Sequence, residues 1–87
     1  MKVFLYTFES CKHCKDIKNL LKIAKISYTE KDVDVFADEW DNIIKEQKNE
    51  FLPTILIQND KKKIYLMPDR NFKNIQEAVI KLASFLK

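Results

Sequence analysis

Ser10-Cys11-Lys12-His13-Cys14 holds both cysteines of the chain, three positions apart, and its surroundings decide what that spacing means. Before it, Lys2-Val3-Phe4-Leu5-Tyr6-Thr7-Phe8 is an apolar, β-branched and aromatic run, which reads as a strand over about Val3 to Phe8. After it, Cys14, Ile17, Leu20, Leu21 and Ala24 recur at spacings of three and four, the core-facing stripe of a helix reaching about Lys25. The pair therefore sits where a strand turns into a helix, with Ser10 or Cys11 as the cap. Helical rise and rotation put residues three apart at about 5 Å between Cα atoms, inside the window a disulfide requires. Cys11 and Cys14 can open and close a disulfide without refolding.

The position also suits the chemistry of sulfur. The first N–H groups of a helix have no intrahelical partners and carry partial positive charge, which favours a thiolate and should lower the pKa of Cys11. Lys12, His13 and Lys15 add positive charge when protonated, while Glu9 and Asp16 oppose it. Lys12 and His13 are thus candidate tuning residues. A histidine directly before the second cysteine is expected to make the couple more oxidising, because a stabilised thiolate makes the disulfide easier to reduce.

A bridge this short closes almost no loop and is a poor structural staple, which leaves redox work or metal binding. One cysteine pair falls short of the ligand set that structural zinc takes, and the only histidine lies inside the pair. The alternative to redox chemistry is therefore a non-enzymatic metal or iron-sulfur binding domain, dimeric or helped by outside thiols.

The 87 residues, 46% hydrophobic and 11% aromatic, suit a single domain over 1–87 with one core. Sixteen basic and 13 acidic residues are interspersed rather than blocked, giving a net charge of +3, and we expect no nucleic-acid partner from that pattern. No apolar run approaches membrane-spanning length and no leader pattern precedes the first strand, so the expected setting is soluble and cytoplasmic, with no membrane. Glycine is absent, so turns that need positive φ are expected to use Asn or Asp.

The first strand is apolar on both faces, as expected of a central strand covered on two sides. Ile26-Ser27-Tyr28-Thr29-Glu30 alternates and, extended by Lys31-Asp32-Val33, predicts a second strand, parallel to the first through a βαβ unit. Asp34 is the expected N-cap of a second helix to about Lys48, with Phe36, Trp40, Ile43 and Ile44 on its apolar face. Pro53 opens a third strand, Thr54-Ile55-Leu56-Ile57. Asn59-Asp60 turns the chain, and Lys63-Ile64-Tyr65-Leu66 returns antiparallel. A last helix is predicted over about Phe72 to Leu86, capped by Asp69 or Asn71, with Phe72, Ile75, Val79, Leu82 and Leu86 on one stripe.

This order, with a cysteine pair at the first strand-to-helix junction and a proline opening the third strand, resembles the thioredoxin fold in its minimal, glutaredoxin-like form. The resemblance spans essentially the whole chain. It implies an α/β, βαβαββα architecture: a four-stranded mixed sheet flanked by three helices. It also implies that Cys11 is the nucleophile, Cys14 resolves the mixed disulfide, and Pro53 is cis. The backbone of Leu52 would pair in β-strand fashion with glutathione or a peptide.

Two family features are replaced: Phe8 stands where glutaredoxins usually carry a glutathione-binding lysine, and Pro68, Asp69, Arg70 and Asn71 stand near the usual glycine pair. Asp69 and Arg70 are accordingly candidate substrate contacts, near helix-terminal N–H groups that suit a carboxylate. Cys-Lys-His-Cys differs from the Cys-Pro-Tyr-Cys common in glutaredoxins and the Cys-Gly-Pro-Cys of thioredoxins, and its histidine is similar to that of protein disulfide isomerases. The implied activity is that of a dithiol-disulfide oxidoreductase with no bound cofactor or metal. Glutathione would serve as co-substrate, or a thioredoxin-reductase-type flavoenzyme would supply electrons. The substrate would be a disulfide-containing protein or small molecule, and the enzyme a monomer.

Overall fold

The computed structural model describes residues 1–86. Strand β1 (Lys2–Thr7) pairs in parallel with β2 (Thr29–Asp32) and antiparallel with β3 (Thr54–Gln58), which in turn pairs antiparallel with β4 (Lys63–Leu66). The sheet order is β2-β1-β3-β4, so β1 is central, as its two apolar faces require. Leu5 sits opposite Glu30 on one side and Ile55 on the other and is fully buried. Truncating such a side chain to alanine costs about 2–5 kcal/mol.

Helices α1 (Lys12–Ile23), α2 (Ala37–Gln47) and α3 (Ile75–Phe85) cover the sheet. Alternation along β1 divides the interior into two layers. Val3 and Leu5 pack with Ile17 and Leu21 of α1, Ile55 and Ile57 of β3, and Ala78 and Leu82 of α3. Tyr6 points to the other face and packs with Trp40 and Ile43 of α2, Leu56 and Met67. Its ring stacks on Trp40 at 5.6 Å between centroids, a geometry worth about 0.5–1.5 kcal/mol beyond area burial.

Two carboxylates tie the edge strand β2 to this frame. The Tyr6 hydroxyl, its pKa raised first by burial and then by Glu39, donates to the Glu39 carboxylate. Lys31 Nζ donates to the same carboxylate at 2.8 and 3.1 Å and lies 4.6 Å from the Phe4 ring centroid. Burial pushes the Glu39 carboxyl upward, but the bonds from Lys31 and Tyr6 outweigh it and hold the group below its usual range. Glu30 is also held low, chiefly by the Thr7 hydroxyl at 2.7 Å against the pull of burial, with Lys18 adding a bond at 3.0 Å.

The element boundaries differ from the sequence expectation at specific points. Strand β1 stops at Thr7, and β2 pairs only from Thr29, although Ile26 and Tyr28 still pack against the core. Asp34 does not cap α2. The Asp32 side chain takes the Asp34 N–H at 2.8 Å, and the Asp32 carbonyl takes those of Val35 and Phe36, so a turn intervenes and the cap is Phe36. Neither Asp69 nor Asn71 caps α3; Asn74 does, accepting the Glu77 N–H at 2.8 Å. Phe72 is buried ahead of that helix, and Leu86 is 39% exposed at its far end.

Positive φ falls on Lys25, Lys48 and Asp69, so two of the three positions belong to lysine rather than Asn or Asp. Lys25 closes a Schellman-type end to α1, with its N–H on the Lys22 carbonyl and that of Ile26 on Leu21. Ala24, expected on the buried stripe, is therefore an exposed C-cap. The burial gained by the core outweighs the cost of placing a Cβ in the left-handed region.

Two expectations follow. Lys48→Gly removes the left-handed penalty at the end of α2 and should stabilise by about 0.5–1 kcal/mol, a rise in Tm of about 2–8 °C by calorimetry; a fall in Tm would contradict it. Because Glu30 and Glu39 are held below their ordinary value of 4.5, their contribution is complete above that value and is lost as pH falls through the folded-state values. Urea denaturation across the acid limb should show Glu39→Gln losing less stability than the parent.

Candidate active site

The Thr7 carbonyl accepts the Val33 N–H at 2.9 Å, which fixes where β1 releases the chain. Four residues later the Cys11 N–H donates back to the Phe8 carbonyl at 3.0 Å, and the backbone enters α1. Cys11, not Ser10, is the N-cap, with φ −84° and ψ 110°. Its Sγ accepts the Cys14 N–H at 3.1 Å and its carbonyl accepts the Lys15 N–H at 3.3 Å. The outermost sulfur thus occupies the place a serine or aspartate oxygen takes at other helix starts, where unpaired N–H groups favour negative charge.

Cys11 and Cys14 are joined in a disulfide with Cα atoms 5.2 Å apart, the separation that helical geometry predicts. Cys14 is 1% exposed and packs inward, whereas Cys11 is only half-buried. The two sulfurs are therefore unequal: one is presented to the surface and the other is shielded behind it.

Beside the pair runs a cleft of about 460 Å³. His13 and Asp16 of α1 form one side, Phe51, Leu52 and Pro53 the second, and the segment from Pro68 to Asp69 the third. The Leu52–Pro53 peptide bond is cis, as the resemblance implied. Among the described residues, neither the N–H nor the C=O of Leu52 has a hydrogen-bond partner. Asn74, Ile75 and Gln76 bring the N-terminus of α3 to the same cleft, together with Lys73. Because the Asn74 side chain serves only the Glu77 N–H, those of Ile75 and Gln76 remain without helical partners.

Of the residues singled out in the sequence, His13, Leu52, Pro53 and Asp69 line one cleft. Lys12 is exposed in the first turn of α1, next to Cys11 but outside the lining. Arg70, expected as a substrate contact, is directed elsewhere. Its guanidinium donates to the Asn71 side chain at 3.1 Å, the Tyr65 carbonyl at 3.3 Å and the Gln47 carbonyl at 3.4 Å. Asp16, named in the sequence only for its opposing charge, also lines the cleft; Lys73, Gln76 and Asn49 were not picked out, and the spacing Asn74-x-x-Glu77, a capping signature, was the signal that places Lys73 beside the start of α3. No group of three or more His, Cys, Asp or Glu side chains converges among the described residues.

A central parallel-antiparallel sheet with a cysteine pair at the start of its first helix and a cis-proline before β3 defines the thioredoxin-fold class. The model of the glutaredoxin family matches residues 3–61, and the chain belongs to that family. Among solved structures, the glutaredoxin from Brucella melitensis is 20% identical and superposes with a TM-score of 0.69, covering 100% of this chain and 89% of its own. The thioredoxin-like protein BC3987 gives 23% and 0.64 over 95% and 97%, and thioredoxin 1 from Thermosipho africanus gives 23% and 0.51 over 99% and 94%. At these identities the likeness establishes the fold. No curated protein matches the chain.

The unequal burial of the two sulfurs predicts unequal alkylation. After reduction, limiting iodoacetamide should label Cys11 well ahead of Cys14 by peptide mass spectrometry; equal labelling, or Cys14 first, would contradict the arrangement.

Proposed function

We propose that this chain is a dithiol-disulfide oxidoreductase in which Cys11 is the nucleophile and Cys14 the resolving thiol. The observation that carries the proposal is the place of Cys11 at the N-cap of α1, its sulfur accepting the Cys14 N–H at 3.1 Å with Cys14 shielded behind it. A sulfur so placed is stabilised as a thiolate when reduced. Lys12 and His13 reinforce that charge when protonated.

In the cycle, the Cys11 thiolate attacks one sulfur of a substrate disulfide. A Cys11–substrate disulfide forms while the substrate S–S bond breaks, and the departing thiolate takes a proton from solvent. Cys14, after losing its proton, attacks Cys11 Sγ, so the mixed disulfide breaks, the second substrate thiol leaves and the Cys11–Cys14 disulfide forms. Two electrons have passed from enzyme to substrate. Two molecules of glutathione, the reductant the family uses, restore the dithiol and leave as their own disulfide; a thioredoxin-reductase-type flavoenzyme is the alternative donor. Sulfur carries the whole cycle.

The free backbone of Leu52 supports β-strand pairing with an extended substrate laid along the cleft beside cis-Pro53. A carboxylate of that substrate finds the N–H groups of Ile75 and Gln76 with Lys73 nearby, and Asp69 borders the same end. On the wall that carries Leu52 the substrate meets Phe51, 54% exposed, which favours an apolar group over a second carboxylate. Disulfides of peptides and proteins fit this lining as well as small mixed disulfides do. A dithiol that must be reset by reduced thiols belongs in a reducing compartment, and we place it in the cytoplasm, acting as a single-domain monomer.

Substitution separates the two sulfurs. Cys11→Ser should abolish disulfide reduction, while Cys14→Ser should accumulate a mixed disulfide visible by intact mass. Turnover in Cys11→Ser equal to the parent would sink the assignment. Parallel assays with glutathione plus glutathione reductase, and with NADPH plus thioredoxin reductase, identify the donor.

A further inference from the structure

Two of the walls of the cleft are remote from each other in sequence. One is the segment 48–53, which carries the free backbone of Leu52. The other is the segment 67–71, which carries Asp69. Each is stiffened from within. In the first, the Phe51 N–H donates to Asn49 Oδ1 at 2.9 Å and the Thr54 hydroxyl donates to the Phe51 carbonyl at 2.9 Å. In the second, the N–H groups of Arg70 and Asn71 donate to the Met67 carbonyl, and the Met67 N–H donates to Asn71 Oδ1 at 3.0 Å.

One side chain joins the two. Asn49 accepts the Phe51 N–H through Oδ1 and donates through Nδ2 to the Pro68 carbonyl at 3.1 Å, in a part-buried contact. A backbone N–H only donates and a carbonyl only accepts, so these two partners admit a single orientation of the amide. Serine is too short to span both, and aspartate can keep only the first. Arg70 doubles the link, reaching from the second wall to the Gln47 carbonyl at the end of α2.

We infer that Asn49 is a positioning residue for the substrate strand: by tying segment 48–53 to Pro68 it sets the width of the cleft between Leu52 and Asp69. It touches neither cysteine nor substrate. The role of Arg70 follows from the same geometry: it braces the walls from behind rather than binding an anion. This inference rests on the oxidoreductase function proposed above.

The test is the steady-state reduction of the mixed disulfide of glutathione and 2-mercaptoethanol by the parent, Asn49→Asp, Asn49→Ala and Arg70→Gln, with the Cys11–Cys14 equilibrium against dithiothreitol measured in parallel. Asn49→Asp keeps the Phe51 contact and loses only the bridge. It should raise KM by about threefold to tenfold, the worth of one net hydrogen bond, with kcat and the redox equilibrium unchanged. Asn49→Ala should do at least as much, and Arg70→Gln should shift KM the same way.

An unchanged KM in Asn49→Asp, or an effect confined to Asn49→Ala, overturns the inference, the second by assigning Asn49 to its local turn alone. A KM change accompanied by a shifted redox equilibrium also overturns it. Should Asn49→Ala fail to fold, the other two variants decide. No turnover by the parent would instead remove the oxidoreductase function and this inference with it.

Discussion

The burial of β1 on both faces governs the rest of the structure. A strand paired on each side and covered above and below cannot shift register without exposing Leu5 or Tyr6 to the wrong layer, so the point at which it releases the chain is fixed. That point is Thr7, whose carbonyl is already committed to Val33. The cysteine pair falls within the next seven residues: a tight turn, an N-cap made of sulfur and a second sulfur on the buried side of the first helical turn. It hangs directly from this doubly covered strand of the sheet.

What the sequence made legible follows from how strongly each signal is tied to burial. The cysteine junction, the central strand, the parallel crossover and the antiparallel return of β4 all rest on apolar periodicity, and all are present. The signals that misled were local and polar. Asp34 is a good cap by residue type, but Asp32 had already turned its own backbone and taken the Asp34 N–H. Asp69 and Asn71 lost the α3 cap to Asn74, whose partner Glu77 lies at capping-box spacing. Lysine at two left-handed positions had no signature, since no residue preference predicts it when glycine is absent.

The candidate site shows the same division. Cys11, Cys14 and Pro53 were readable because each makes sense only at the junction where it stands. Arg70 was not, because its charge suggested an anion while its actual partners are three oxygens scattered along the chain. Asn49 gave no signal at all: a single asparagine in a loop is ordinary, and its significance lies in two contacts separated by 19 and two residues. Side chains that join distant backbone segments become visible only when the segments are seen together.

A sheet has two rims where backbone bonding capacity is left over, and here both are short. β2 is Thr29-Glu30-Lys31-Asp32, wholly polar, and β4 is entered through Lys61-Lys62-Lys63. Charge at a rim repels a neighbouring copy before strands can zip together. The uncommitted peptide groups of Leu52, beside exposed Phe51 and set back in a cleft, are the opposite case: backbone bonding capacity left over with no charge on the adjoining residues. Under the function proposed above, the same backbone chemistry is thus masked by charge at the rims and left open in the cleft.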